Sequence, residues 1–241
     1  MSYPIASDIN RPTSGSQTCV LTPESYIIEV HEMGLCSTNP IQSQKWVKPT
    51  DNVVLWTKGP NENALTADVA PGKGIANPPI VQPPPLGKYS FSYVLLKNEI
   101  TQKAKAEFKD FTYYSTSNSD ASGTVGSYAS YSESLTNFAD AGFSPYINDT
   151  DFNVQGLLLQ SDKETTSTSP GVTPYILGVF DLSSQPLIVP NAVRSGQQLG
   201  IKFLTTNRVG IWCDDWSALG PPIATNFTFG SLPFVFRVTI S

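Results

Sequence analysis

Residues Tyr175 to Asn207, YILGVFDLSSQPLIVPNAVRSGQQLGIKFLTTN, constrain the fold of this chain more than any other stretch. Three short apolar runs stand in it: Tyr175 to Phe180, Pro186 to Val189, and Leu199 to Leu204. In the last, Leu199, Ile201 and Phe203 share a face at period two, the spacing of a strand. The segment between the last two runs, PNAVRSGQQ, supplies Pro190, Asn191, Ser195 and Gly196 as turn formers. Short strands broken by Pro or Gly predict an antiparallel sandwich or barrel. The final run, FVFRVTI, repeats the pattern, with Phe234, Phe236, Val238 and Ile240 facing one way and Val235, Arg237 and Thr239 the other.

A chain of 241 residues fits one such domain. At that size a core forms without a disulfide or metal staple. Charged residues make up 15%, against about 25% in typical soluble domains. The 39% hydrophobic and 11% aromatic content still excludes a disordered chain. Net charge is −5 and no Lys/Arg stripe exists, which argues against direct nucleic-acid binding and against an anionic membrane surface. The first residues, MSYPIASDINRP, lack the charged and apolar regions of a signal peptide. No apolar run reaches the length of a membrane-spanning helix, so a soluble chain is expected, placed in a virion or an extracellular assembly. Cys19, Cys36 and Cys213 form neither a zinc pattern nor a disulfide framework. A Cys19–Cys36 bridge is the alternative to buried free thiols, which the count favours.

Along the chain, residues 1–24 read as an extended polar arm that needs an adjoining surface, such as another copy, to be ordered. Residues 25–241 read as one β-sandwich, jelly-roll-like, with long polar loops and at most one short helix. Tyr26 to His31 and Val53 to Lys58 are strands, Asn39 to Gln44 a connector, and NENALTADVA holds one helical turn. Six prolines between Pro71 and Gly87 make a connector along a domain edge. In Lys88 to Lys97, Tyr89, Phe91, Tyr93 and Leu95 oppose Ser90, Ser92, Val94 and Leu96. Ile100, Ala104 and Phe108 fit a helical stripe, so Ile100 to Lys109 is assigned a helix. Ser115 to Ser134 has almost no aliphatic side chain and reads as a surface loop without core residues. Val154 to Gln160 and Arg208 to Cys213 are further strands. No internal repeat is visible.

The residues offer little catalytic chemistry. His31 is the lone histidine, so any Ser-His or Cys-His nucleophile would need it, and no GxSxG elbow exists. It reads as a partly exposed strand-end residue. Carboxylates such as Glu29, Glu32, Asp214 and Asp215 pair no better than chance. Asp149-x-Asp151-x-Asn153 opens like a calcium loop, but Val154 replaces the turn glycine and Gln160 the closing glutamate. Pro71-Gly72-Lys73-Gly74 is not a phosphate loop. No catalytic residue, cofactor or metal is therefore expected. Asn148 and Asn226 head glycosylation triplets. Trp46, Trp216, Tyr128 and Tyr131 are the candidate ligand or interface aromatics, while Trp56 and Trp212 are expected in the core.

Two functions follow. A charge-poor all-β chain with a polar arm and a final strand locked in a sheet suits a structural subunit that assembles with copies of itself. In composition and architecture it resembles single jelly-roll coat subunits of viruses or β-sandwich subunits of surface filaments, although no motif carries that likeness. The alternative is a carbohydrate-binding β-sandwich that uses loop aromatics.

Overall fold

The computed structural model describes residues 4–10, 17–50, 52–59, 63–73, 84–122, 124–139, 142–150, 153–189, 199–213 and 227–240, with backbone alone at 17, 199–201, 213, 235 and 237–240. The strands are β1 Gln17–Leu21, β2 Ser25–Cys36, β3 Ile41–Gln42, β4 Lys45–Trp46, β5 Val53–Thr57, β6 Leu65–Asp68, β7 Gly87–Tyr89, β8 Phe91–Lys97, β9 Ile100–Lys103, β10 Lys105–Glu107 and β11 Thr112–Ser115. They continue as β12 Ala121–Ser122, β13 Tyr131–Glu133, β14 Tyr146–Asp149, β15 Val154–Leu159, β16 Tyr175–Asp181, β17 Leu187–Val189, β18 Leu199–Leu204, β19 Val209–Cys213, β20 Phe227–Ser231 and β21 Val235–Ile240. The described helical segments are two 3-10 turns, Ala6–Asp8 and Val125–Ser127, and the strand pairs are antiparallel, so the fold is the expected all-β sandwich.

The main sheet runs β13-β9-β2-β8-β16-β15-β14, with β5 and β6 on the far edge of β2. Its twelve-residue β2 needs a device to keep one face inward. Tyr26, Ile28 and Val30 point to the core, and so do Met33 and Leu35, which have the opposite parity. A register shift between Val30 and Glu32 absorbs His31 as an extra residue and restores the face. His31 is therefore buried in mid-strand, not partly exposed at a strand end.

The sheet is covered on both faces. Val94, Leu96 and Phe180 face the inner core, with Phe180 against Phe234, just before β21, and Phe236 within it. Tyr93, Leu95, Leu157, Leu159, Leu177 and Val179 face outward, yet all are buried under Ile41 and Trp46 of the β3–β4 hairpin. Ser43 and Gln44, both at positive φ, make its two-residue turn, so the expected connector is a hairpin. Double coverage explains the apolar runs Leu157 to Leu159 of β15 and Tyr175 to Phe180 of β16, which alternation alone does not predict.

At one end the sheet curls into a barrel-like ring. β10-β11-β12 joins β20-β19-β1 through the Asp120–Thr228 bridge. The N-terminal segment closes the ring: Val20 N–H donates to the Pro4 carbonyl at 2.9 Å and Lys109 N–H to Ile9 at 3.0 Å, with Ala6 buried between. Residues 4–10 and 17–24 are thus held by their own domain, and the reading of 1–24 as an arm ordered by another copy is corrected for them.

Three further expectations are corrected. Ile100 to Lys109 is not a helix but β9 and β10. Ile100, Gln102, Ala104, Ala106 and Phe108 are buried in strict alternation, and the stripe i, i+4, i+8 satisfies both periods. NENALTADVA contains β6, where Ala67 packs inward. Ser115 to Ser134 does contribute core residues, Ala121 and Tyr131, because a phenol and a methyl need no aliphatic neighbour in sequence to pack. The Pro-rich connector at 71–87 lies mostly outside the described residues.

Candidate functional site

Two glycine pairs shape the inner side of the sandwich. Gly156 of β15 stands directly opposite Gly178 of β16 in the middle of the main sheet. Both lack side chains where Val154, Ile176 and Phe180 would otherwise continue the inner face. A Cβ at Gly156 would lie 2.9 Å from Ile147 Cγ2 and 3.3 Å from Phe138, so the gap admits those two side chains. Gly210 of β19 stands opposite Gly230 of β20. The Trp212 indole lies in that trough, 2.7 Å from where either Cβ would be.

Between these walls is a cavity of about 440 Å³. Leu96, Ile100, Leu135, Ile147, Leu232 and Pro233 complete its apolar lining, and Asn137 and Ser231 bring polar groups to it. Beside it, Glu133 accepts the Ser231 N–H. Burial pushes the Glu133 carboxyl above the usual carboxylate range, with the Ser231 hydrogen bonds opposing. The Tyr26 hydroxyl donates to the Leu232 carbonyl at 3.4 Å, and burial drives its pKa up.

A second, polar cleft of about 270 Å³ opens on the outer side near the β14 edge. Asn39, Asn148, Asp149, Thr150, Asn153, Gln155 and Asp181 line it over Phe91 and Val179. Asn39 Nδ2 donates to Gln155 Oε1 at 3.0 Å, and Asp181 Oδ1 accepts Ser183 N–H at 2.7 Å. Asn148, of the glycosylation triplet, is exposed there.

The nominated aromatics do not form one surface. Trp46 is half-buried on Tyr93, 5.7 Å between ring centres, with Lys48 Nζ 5.7 Å above it. Tyr128 pairs with Tyr114 at 5.3 Å under Lys103 Nζ at 4.2 Å, on the curled end. Tyr131 is buried and donates to Gln102 Oε1 at 2.6 Å, so it presents no loop surface. Trp216 lies outside the described residues, as do Asp214, Asp215, Asp151 and Asn226. Trp56 is in the core as expected, whereas Trp212 is half-buried on the cavity wall.

His31 Nε2 meets Glu29 Oε1 at 3.0 Å, and its ring lies edge-on to Tyr175 at 5.0 Å. Burial, then Lys163, lowers its pKa, with Glu29 opposing. Cys19 and Cys36 are buried and not bridged to each other, Cys36 Sγ donating to Asn52 Oδ1 at 3.6 Å, and burial raises Cys19 to about 11. Among the described residues, no group of three His, Cys, Asp or Glu side chains could hold a metal, and no helix is long and apolar enough to cross a membrane.

No family model matches this chain, nor does any curated protein or solved structure. Function has to be argued from the sites themselves. Sequence reasoning missed both glycine pairs. The available signal was an isolated Gly inside each of the runs QGLLL, YILGVF, VGIW and FTFGS, which marks close approach by another group.

Proposed function

We propose that this chain is a non-enzymatic structural subunit that assembles with copies of itself into a larger particle, of the kind a viral coat or surface filament requires. The β7–β17 ribbon carries this reading. Leu86, preceding β7, is 61% exposed, and Ile188 of β17 is 63% exposed. Ile188 pairs with Lys88, and Leu86 immediately precedes β7. Among the described residues β7 has no strand on its other side. Exposed apolar side chains that stand near one another on one ribbon suit burial against another chain. At net charge −5, copies repel one another at long range, and a contact between them needs a face without acids, such as this one with Lys88. The assembly surface thereby moves from the N-terminal residues to the ribbon.

Light scattering after size-exclusion chromatography tests the proposal. The wild type should elute as a multiple of 26.1 kDa, and the double variant Leu86→Glu, Ile188→Glu as a monomer that still unfolds cooperatively. A wild-type monomer at the highest concentration reached overturns the reading. So does a double variant with wild-type size.

The polar cleft favours the second reading, a carbohydrate-binding module. Its amides and carboxylates match vicinal hydroxyls, and Phe91 offers an apolar floor for a sugar face. A monomer that retains glycans from an array, and loses them in Asn148→Ala, would put this reading first.

A further inference from the structure

We propose that the inner cavity binds an uncharged long-chain amphiphile, an apolar body with one non-ionic hydrogen-bonding end. Its volume of about 440 Å³ is roughly three times the ~150 Å³ that takes up a benzene, which gives room for about 15 to 20 carbon atoms. Leu96, Ile176, Phe180, Trp212 and Phe234 give apolar walls on several sides. The pocket is half open to solvent, so a ligand of matching shape removes its apolar walls from water and gains dispersion contacts with them. The site is shaped by sequence: Gly156 and Gly178 pair side by side on its floor, and an added methyl at either would press on Ile147, Phe138 or Phe180, which line it.

The polar groups decide the ligand's end. Asn137, whose Oδ1 already accepts the Ala139 N–H at 2.6 Å, and Ser231, whose hydroxyl is within hydrogen-bond reach of Glu133, bring neutral polar groups to it. Ser231 is already tied through its N–H to Glu133, a carboxyl short of solvent. A carboxylate or phosphate brought to Ser231 would lose its hydration without gaining a cationic partner, since the polar lining groups Asn137 and Ser231 are neutral. An ammonium would lose its hydration, and burial already holds the Glu133 carboxyl toward its neutral form. An alcohol, amide or ester faces neither cost.

Isothermal calorimetry and thermal melting of the full chain with 1-dodecanol, dodecanoate and dodecylammonium test this assignment. Dodecanol should bind and raise the thermal midpoint, and each ion should bind at least tenfold more weakly. Two variants alter the site from different sides: Ala139→Phe narrows it at the lining loop, and Gly178→Ala on the floor presses on the lining ring of Phe180. Each, checked for cooperative melting without ligand, should weaken dodecanol binding, Ala139→Phe by tenfold or more. The ribbon variant Leu86→Glu, Ile188→Glu should bind dodecanol normally, which keeps this result separate from assembly. The proposal is overturned if the wild type binds no dodecanol up to its solubility limit. Undiminished binding in the folded variants overturns it too. Equal or tighter binding of an ion overturns the non-ionic end.

Discussion

The two faces of β8, β15 and β16 are built from the same three strands and end in opposite states. Outward, Tyr93, Leu95, Leu157, Leu159, Leu177 and Val179 close into a cluster with no more than 2% of any side chain exposed. Inward, at alternate positions, Gly156 and Gly178 leave the floor of a cavity. The outer face gains its stability from complete contact. The inner face gives up some of that contact and keeps a shaped space. In an antiparallel sheet one residue of sequence separates the two, because successive side chains point to opposite faces.

Adjacent residues make the contrast measurable. Leu177 is fully buried in the outer cluster, and Ile176 is buried beside the cavity. Leu177→Ala should cost about 4 kcal/mol, near the upper part of the range for buried leucines, because its neighbours surround it completely. Ile176→Ala should cost about 2 kcal/mol, since part of its surface already lacks a partner. Urea unfolding of both variants would show this. Equal losses would mean that the inner face is as tightly packed as the outer and that the cavity is not a feature of the folded chain.

A smaller contrast lies between the two glycines. Gly156→Ala puts a methyl 2.9 Å from Ile147 Cγ2 and should destabilise by about 1–2 kcal/mol. Gly178→Ala meets Phe180 at 3.3 Å and Val94 at 3.6 Å, and loses less backbone entropy on folding than glycine. Its unfolding free energy should stay within about 0.5 kcal/mol of wild type, the range within which such opposing terms cancel. Reversal of that order would show that Phe138 and Ile147 are free to move and do not fix the cavity wall.

The sequence made the outer half of this comparison legible and the inner half obscure. Strand existence is plain wherever Pro or Gly punctuates apolar runs, and β8, β15, β16, β18 and β19 stand close to where the pattern puts them. Alternation fails where a strand carries small or polar residues inward. Gln102 and Ala104 hide β9 and β10 behind a helical stripe, and Tyr131 hides a core position inside a serine-rich loop. The bulge at His31 flips parity within one strand, which no fixed period reports. The cavity depends on which glycine faces which, a property of register between strands, and register is set by long-range pairing. The docking of Pro4 to Ile9 between β1 and β10 is of the same kind: its few apolar groups gain from a ring that the local sequence does not encode.

The smallest expected effect separates the two sides by pH. His31 lies on the outer side against Tyr175, and its pKa is lowered from 6.5 by burial. Below pH 6.5 the unfolded chain takes up the proton first, so this group's contribution to stability falls as pH drops toward its folded pKa. Glu133, beside the cavity, has the opposite sign. Its pKa is raised from 4.5, so the folded chain holds the proton longer. Its contribution is fully present below 4.5 and is lost as pH rises through the folded value. His31→Gln should therefore flatten the acidic limb of a plot of thermal midpoint against pH and leave the other limb alone. Glu133→Gln, whose amide oxygen still accepts the Ser231 N–H, should flatten the fall above 4.5 and raise the midpoint at neutral pH. If Glu133→Gln instead lowers the neutral-pH midpoint, the carboxylate is stabilised in its charged form. A ligand with a cationic end would then suit the cavity better than an uncharged one.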